Sequence, residues 1–344
     1  MRPLTPRRII LICAGLTGVL LIVVLIALRM GAYSISIQDI AMTLFRGALG
    51  RRDEILPDFW NVVFEIRLPR ILLGILVGAS LAVAGAGFQA LLRNPLADPY
   101  VLGVSSGAAL GAIVSLVIAP RTPGAIQVAA FVGAALTVAA VYFLGRRGGQ
   151  LDSATLLLAG IVMASFLSAA IMFLITTLSG HDLLRGMAFW LMGDLASPPP
   201  TRDVLEWFGF LFFVFVIAAG AIYTTSSDLN LILSGEQEAR HLGVNVNRVK
   251  LVVYISASIL TGLAVSVSGA IGYVGLLVPH VMRMIFGTDY RLLIPTSVIG
   301  GAIAIVLADT LARTVMGPTE LPVGAMTALA GAPVFIYLMR RRVR

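Results

Sequence analysis

The stretch LLRNPLADPYVLG, residues 91–103, decides how this chain is built. It places two prolines, an arginine, an aspartate and an asparagine between two apolar runs, each long enough to cross a bilayer. Proline has no N–H to donate and clashes with the preceding helical turn, so Pro95 and Pro99 stop helix formation and stiffen the turn. Asn94 and Asp98 are side chains that cap backbone groups where the next helix starts. The stretch therefore reads as a rigid polar break between two membrane-spanning helices.

Outward from this break the same alternation continues. Of 344 residues, 58% are hydrophobic and 12% charged, with a mean hydropathy of +0.97, more apolar surface than a soluble domain can cover. Runs such as VLLIVVLIAL (19–28) do not alternate, which excludes a membrane β-barrel and leaves helices of about 20 residues as the spanning element. Spans are expected near 9–29, 71–92, 101–119, 124–145, 155–177, 204–223, 250–269, 273–287, 292–311 and 322–339. The expected fold is thus all-α and polytopic, a single transmembrane domain over 1–344 with about ten transmembrane helices. The first run, Ile9–Leu28, has no small-residue cleavage signal and reads as a retained span. Its Cys13 is the only cysteine, so disulfides and cysteine metal sites are excluded.

An even number of spans puts both termini on one side, and both are basic: Arg2, Arg7 and Arg8 at the start, Arg340, Arg341, Arg342 and Arg344 at the end. The positive-inside bias places them in the cytoplasm, together with Arg93, Arg146, Arg147, Arg240, Arg248, Lys250 and Arg291. The net charge of +8 is thereby explained by topology and not by nucleic acid. Arg67, Arg70 and Arg313 fall on the outside, where snorkelling or an acidic partner would account for them. GASLAVAGAGF (78–88) resembles GLAVSVSGAIGY (262–273), and these two spans run in opposite directions, as in an inverted repeat.

Two longer polar stretches remain. Residues 30–66 are external and contain SISIQDIAMTLFRGAL, an amphipathic helix suited to the membrane surface. Residues 224–250 form an internal loop in which GEQEARHLGV makes a short helix ended near Gly243. Its glutamates lie in the first turns and Arg240 and His241 at the end, as the helix dipole prefers.

The chemistry the sequence lacks narrows the function. A phosphate loop needs Gly-Lys followed by Ser or Thr, and the single lysine, Lys250, follows Val249. HVMR (280–283) lacks the second histidine of a zinc-protease helix, and no Gly-x-Ser-x-Gly turn is present. Among the intramembrane ionisable residues His280, Arg283, Asp309, Glu320 and Asp98, only Asp309 offers an ion-coupled carrier a candidate group. It is also the simplest partner for Arg313, one helical turn away. A permease driven by a separate energy-supplying partner fits better than an enzyme or an ion-coupled secondary carrier.

RLPR (67–70), the stretch 78–112, LLLAG (156–160), EARHLGV (238–244), SGAIGYVGLLVPHVMR (268–283) and ELPVGAMTALAGAPVFIYLMRR (320–341) occur in order and at family spacing. Together they resemble the permease subunits of type II ABC importers for cobalamin, iron-siderophores and haem, the FecCD type. The resemblance implies a ten-helix permease in the bacterial cytoplasmic membrane, with helices 2–5 and 7–10 as an inverted repeat. It further implies a homodimer with two cytoplasmic ATPase subunits and a periplasmic or lipoprotein binding protein. ATP would be used by the partners and no cofactor bound by this chain. Carried over residue by residue, it places Arg67, Arg70 and Arg313 against the binding protein and Asn94, Leu96 and Ser153 at the cytoplasmic gate. Glu238, Ala239 and Gly243 fall in the ATPase-coupling loop, and Met163, Phe166 and Met172 are candidates for the path wall. Asp152 and Thr155 stand where the cobalamin permease has other residues. Iron-siderophore is the first expectation for cargo, cobalamin or haem the next.

Overall fold

The computed structural model describes residues 4–31, 33, 35–119, 122–147, 150–177, 181–196, 204–316 and 320–342. Arg2 and Arg344, read above as cytoplasmic charges, lie outside them. The chain is helical almost throughout. The helices are α1 (Pro6–Arg29), α2 (Ile37–Ala48), α3 (Pro57–Leu91), α4 (Val104–Ile118), α5 (Ala125–Leu144), α6 (Ser153–Thr177) and α7 (His181–Met192). They continue with α8 (Val204–Thr224), α9 (Ser226–Ser234), α10 (Glu236–His241), α11 (Val246–Ser268), α12 (Val274–Phe286), α13 (Tyr290–Thr314) and α14 (Val323–Arg342). A two-residue ladder pairs Arg146–Arg147 (β1) with Gln150–Leu151 (β2).

Every expected span appears as a helix. Seven are long and apolar enough to cross a bilayer, whereas three, Val104–Ile118, Val274–Phe286 and Val323–Leu338, are shorter. The 13 residues of α12 rise only about 20 Å, against ~30 Å of hydrocarbon. α4 and α12 both begin after irregular backbone, at the 3₁₀ turn Pro99–Leu102 and at Gly269–Tyr273, so part of each crossing is not helical. Such backbone is tolerated at membrane depth when protein covers it, and here Tyr100 Oη both donates to the Ile271 carbonyl and accepts from its N–H, each at 2.7 Å.

The second span departs from its expected start. It begins at Pro57, not near 71, and runs through a π-helical stretch, Asn61–Arg67, before Pro69. A proline in the first turn of a fresh helix is harmless, but inside a continuing one it would meet the carbonyl four residues back. The widened turns upstream absorb that conflict. Upstream, α2 is the expected amphipathic helix, capped by Ser36, whose Oγ accepts from the Asp39 N–H.

α3 and α11 form the buried centre. α3 packs most extensively on α13 and next on α11, and α4 on α5. Exchanging α3–α6 for α11–α14 carries the contacts α4–α5, α4–α6, α5–α6, α5–α11 and α4–α11 onto α12–α13, α12–α14, α13–α14, α3–α13 and α3–α12, all present. Lipid offers helices no hydrophobic drive to associate, so close backbone approach must supply the attraction. Gly78 and Gly301 provide it: a Cβ on either would overlap the other's carbonyl oxygen.

Candidate functional site

At one end of the bundle the three arginines expected to face a partner are turned inward. Arg67, Arg70 and Arg313 are only 3%, 7% and 9% exposed. Arg67 donates to the carbonyls of Leu28, Arg29 and Tyr33, closing the C-terminal end of α1. Arg70 donates from Nε to Asp309 Oδ1 at 2.8 Å and from Nη1 to Glu320 Oε2 at 2.7 Å, while Arg313 Nε lies 3.1 Å from Asp309 Oδ2. The expectation of arginines open to an acidic partner is therefore corrected for this conformation: they join α1, α3 and α13 to one another. The physical reason for Arg70 and Arg313 is Asp309, which is buried and offers its two oxygens to their guanidinium groups; for Arg67 it is the carbonyls left open at the end of α1.

At the opposite end, the residues expected at a gate are brought together. Asn94 Oδ1 accepts from the Leu96 N–H at 2.9 Å and Asp98 Oδ1 from the Tyr100 N–H at 2.8 Å, the caps expected of the proline-rich turn. Arg93 adopts φ +48° and Leu96 is exposed. Ser153, the first residue of α6, donates its Oγ to the carbonyl of Leu91 at 3.0 Å, so the two expected gate segments are in direct contact within one chain. Asp152 Oδ2 accepts from the Thr155 N–H at 2.8 Å and from its Oγ1 at 2.6 Å. The two residues that depart from the cobalamin-permease pattern are thus one N-cap. Asp152→Ala is expected to cost about 1 kcal/mol in thermal unfolding in detergent, with Thr155→Val costing less.

Below the bundle, α10 is the short helix the sequence announced. Ala239 is fully buried and anchors it, while Glu238 and Gly243 are exposed. Gly243 takes φ +86°, a left-handed conformation that ends the helix, and the Val244 N–H closes back on the Ala239 carbonyl at 3.0 Å. On α6, Phe166 and Met172 are exposed and Met163 is half-buried; with Leu158, Val162 and Phe173 they form an apolar strip. No described residue of this chain covers the exposed part of that strip.

Other polar links were not legible in advance. Gln89 Nε2 donates to the carbonyls of Gly275 and Leu276, and its Oε1 accepts from Arg283 Nη2 at 2.9 Å. Asn230 binds Asp289 Oδ1 at 2.8 Å and the Tyr290 N–H at 3.0 Å, fastening α9 to the start of α13. An amide in a span of small apolar residues, such as Gln89 in AGAGFQALL (84–92), is the one signal that could have drawn attention.

A multi-pass helical membrane protein with short helices entered through irregular backbone, and an exposed helix hung beneath it, is the class this architecture defines. Residues 19–341 match the FecCD transport family, and the chain belongs to it. It is 43% identical over 281 residues to the cobalamin import system permease protein BtuC of Halobacterium salinarum, covering 82% of this chain and 74% of that one. It is 39% identical over 338 residues, 94% of each chain, to the hemin transport system permease protein HmuU of Yersinia pestis. A solved metal-chelate type ABC transporter in an inward-facing conformation superposes with a TM-score of 0.81 at 32% identity, covering 96% of this chain and 99% of that one.

Proposed function

We propose that this chain is the membrane-spanning permease subunit of a binding-protein-dependent ABC importer that carries a large metal chelate into the cytoplasm. The observation that carries the reading is α10: a short helix held by one buried residue, Ala239, with Glu238 and Gly243 presented to solvent. Such an element fits a cleft on a separate ATPase, the energy source that the missing phosphate loop requires. Membership of the FecCD family supports the same assignment. Two copies pair around a path lined by α6, whose uncovered strip including Phe166 and Met172 suits a second copy or cargo. Two ATPase subunits bind below and a binding protein above, in a bacterial cytoplasmic membrane with both termini on the ATPase side. The matched contacts of α3–α6 and α11–α14 support an inverted repeat.

ATP binding draws the ATPases together, α10 moves with them, and the contact between Ser153 and the turn at Asn94 and Leu96 opens or closes. Docking of the binding protein through Arg67, Arg70 and Arg313 requires their inward contacts to loosen. Arg70 is the best placed, because its partner Glu320 has a side chain 49% exposed. Iron-siderophore is the first choice of cargo, with cobalamin or haem next: related permeases are named for Fe(3+)-citrate, cobalamin and hemin. An ion-coupled carrier would need Asp309 free to load an ion, and Arg70 and Arg313 already occupy it.

The test is Glu238→Arg in proteoliposomes holding the permease, its ATPase and its binding protein. ATP-driven uptake of the chelate that co-purifies with the binding protein, identified by its absorption spectrum, is expected to fall at least about tenfold. The ATPase alone should hydrolyse as before. Uptake by wild-type permease with no ATPase present would replace this reading with the carrier.

A further inference from the structure

We propose that Lys250 is a strut that transmits movement of α10 to the cytoplasmic gate, a role that rests on α10 being the ATPase-facing element. Lys250 is the only lysine in the chain, and its side chain is only 8% exposed. Its Nζ lies 2.7 Å from Glu236 Oε1, on the first residue of α10, and 3.5 Å from the carbonyl oxygen of Leu151, in β2. Leu151 leads through the Asp152 cap into Ser153, whose hydroxyl holds the Leu91 carbonyl at the end of α3, three residues before Asn94. One ammonium group therefore joins the docking helix to the segment that opens α6, and the Ser153 hydroxyl joins that segment to the end of α3 before the gate turn.

Stability does not account for a lysine at this place. Lys250 sits in the second turn of α11, with its side chain buried. Burying its charge costs desolvation that the pair with Glu236 offsets only in part, and an apolar side chain of similar length would fill the space without that cost. What an apolar side chain cannot do is hold two separate elements at once. An ammonium can, because its three donors point in different directions. Within α10, Ala239 packs into the core and Glu238 is exposed, while Glu236 carries the pair to Lys250.

The experiment uses the full-length permease bound to its ATPase in nanodiscs, with Cys13→Ser to remove the native thiol and Leu96→Cys as a reporter in the exposed gate turn. Maleimide labelling at position 96 is timed with and without ATP plus vanadate. In the Lys250→Met variant, ATPase co-purification and vanadate trapping of nucleotide should stay at the level of the reporter protein. The nucleotide-driven change in labelling rate should fall at least about fivefold. Lys250→Arg, which keeps charge and reach, should retain the change, and the exchange Glu236→Lys with Lys250→Glu should restore part of it. A Lys250→Met variant that responds like the reporter protein overturns the strut and leaves the importer reading intact. Equal loss of ATPase binding and of the labelling change also overturns it, in favour of a structural role. A reporter protein that binds no ATPase overturns both.

Discussion

Replacing Asp309 with alanine is expected to destabilise the isolated permease by about 3–5 kcal/mol, read as a fall in the midpoint of thermal unfolding in detergent. The carboxylate is buried with a side-chain exposure of 3% and faces Arg70 on α3 and Arg313 on its own helix. Its loss leaves Arg313 without an ion pair among the described residues and Arg70 with Glu320 alone. An unpaired buried cation keeps its desolvation cost and loses the attraction that offset it, which is why breaking such a network costs more than building it gains. Asp309→Asn, which keeps an acceptor but no charge, should fall between. Removing the charges together, as Arg70→Met, Asp309→Leu and Arg313→Met, should recover most of the lost stability, because nothing charged is then stranded. A near-wild-type Asp309→Ala would sink the inward-facing arrangement and return the arginines to the surface, ready for a partner.

That network also shows what the sequence could and could not convey. The pair of Asp309 and Arg313 is local, one helical turn apart, and periodicity alone suggests it. Arg70 and Asp309 are 239 residues apart, and which helices become neighbours is not written in hydropathy. The arginines of RLPR read as facing outward because the apolar run starts just after them; in the structure the helix begins at Pro57, so Arg67 lies against the end of α1. The spans were legible because lipid forces every backbone group to pair within the chain, leaving long apolar helices as the readable solution. Their shortened members were not, since Pro99–Leu102 and Gly269–Tyr273 stay apolar while their backbone leaves the helix. At the proline-rich turn, the caps of Asn94 and Asp98 followed from residue type. The hydroxyl of Ser153 on the Leu91 carbonyl needed a contact across 62 residues. α10 was legible from its charges and Gly243, whereas the ion pair from Glu236 to Lys250 was not.

The second large effect is expected from Gly78→Leu. A Cβ at this position already overlaps the carbonyl oxygen of Gly301, and beyond it lies Ile305, so α3 and α13 must separate to admit any side chain. Overpacking of this kind costs about 1–3 kcal/mol for a small excess, so Gly78→Ala should fall in that range and Gly78→Leu above it. Gly220, in α8, has nothing within 4 Å of where a Cβ would stand. Gly220→Ala should therefore stabilise by up to about 1 kcal/mol through helix propensity. The same chemical change thus carries opposite signs at two helical glycines, and equal behaviour of the pair would refute the register of α3 on α13. The separation should also reach the arginine network, because Gly78 and Gly301 each lie eight residues, about 12 Å along a helix, from Arg70 and Asp309 respectively. Once Gly78→Leu has pushed the helices apart, the ion pair between Arg70 and Asp309 is already weakened, and adding Asp309→Ala should cost less than it does alone. A double variant whose loss is the plain sum of the two would mean that the arginine network holds without the glycine contact.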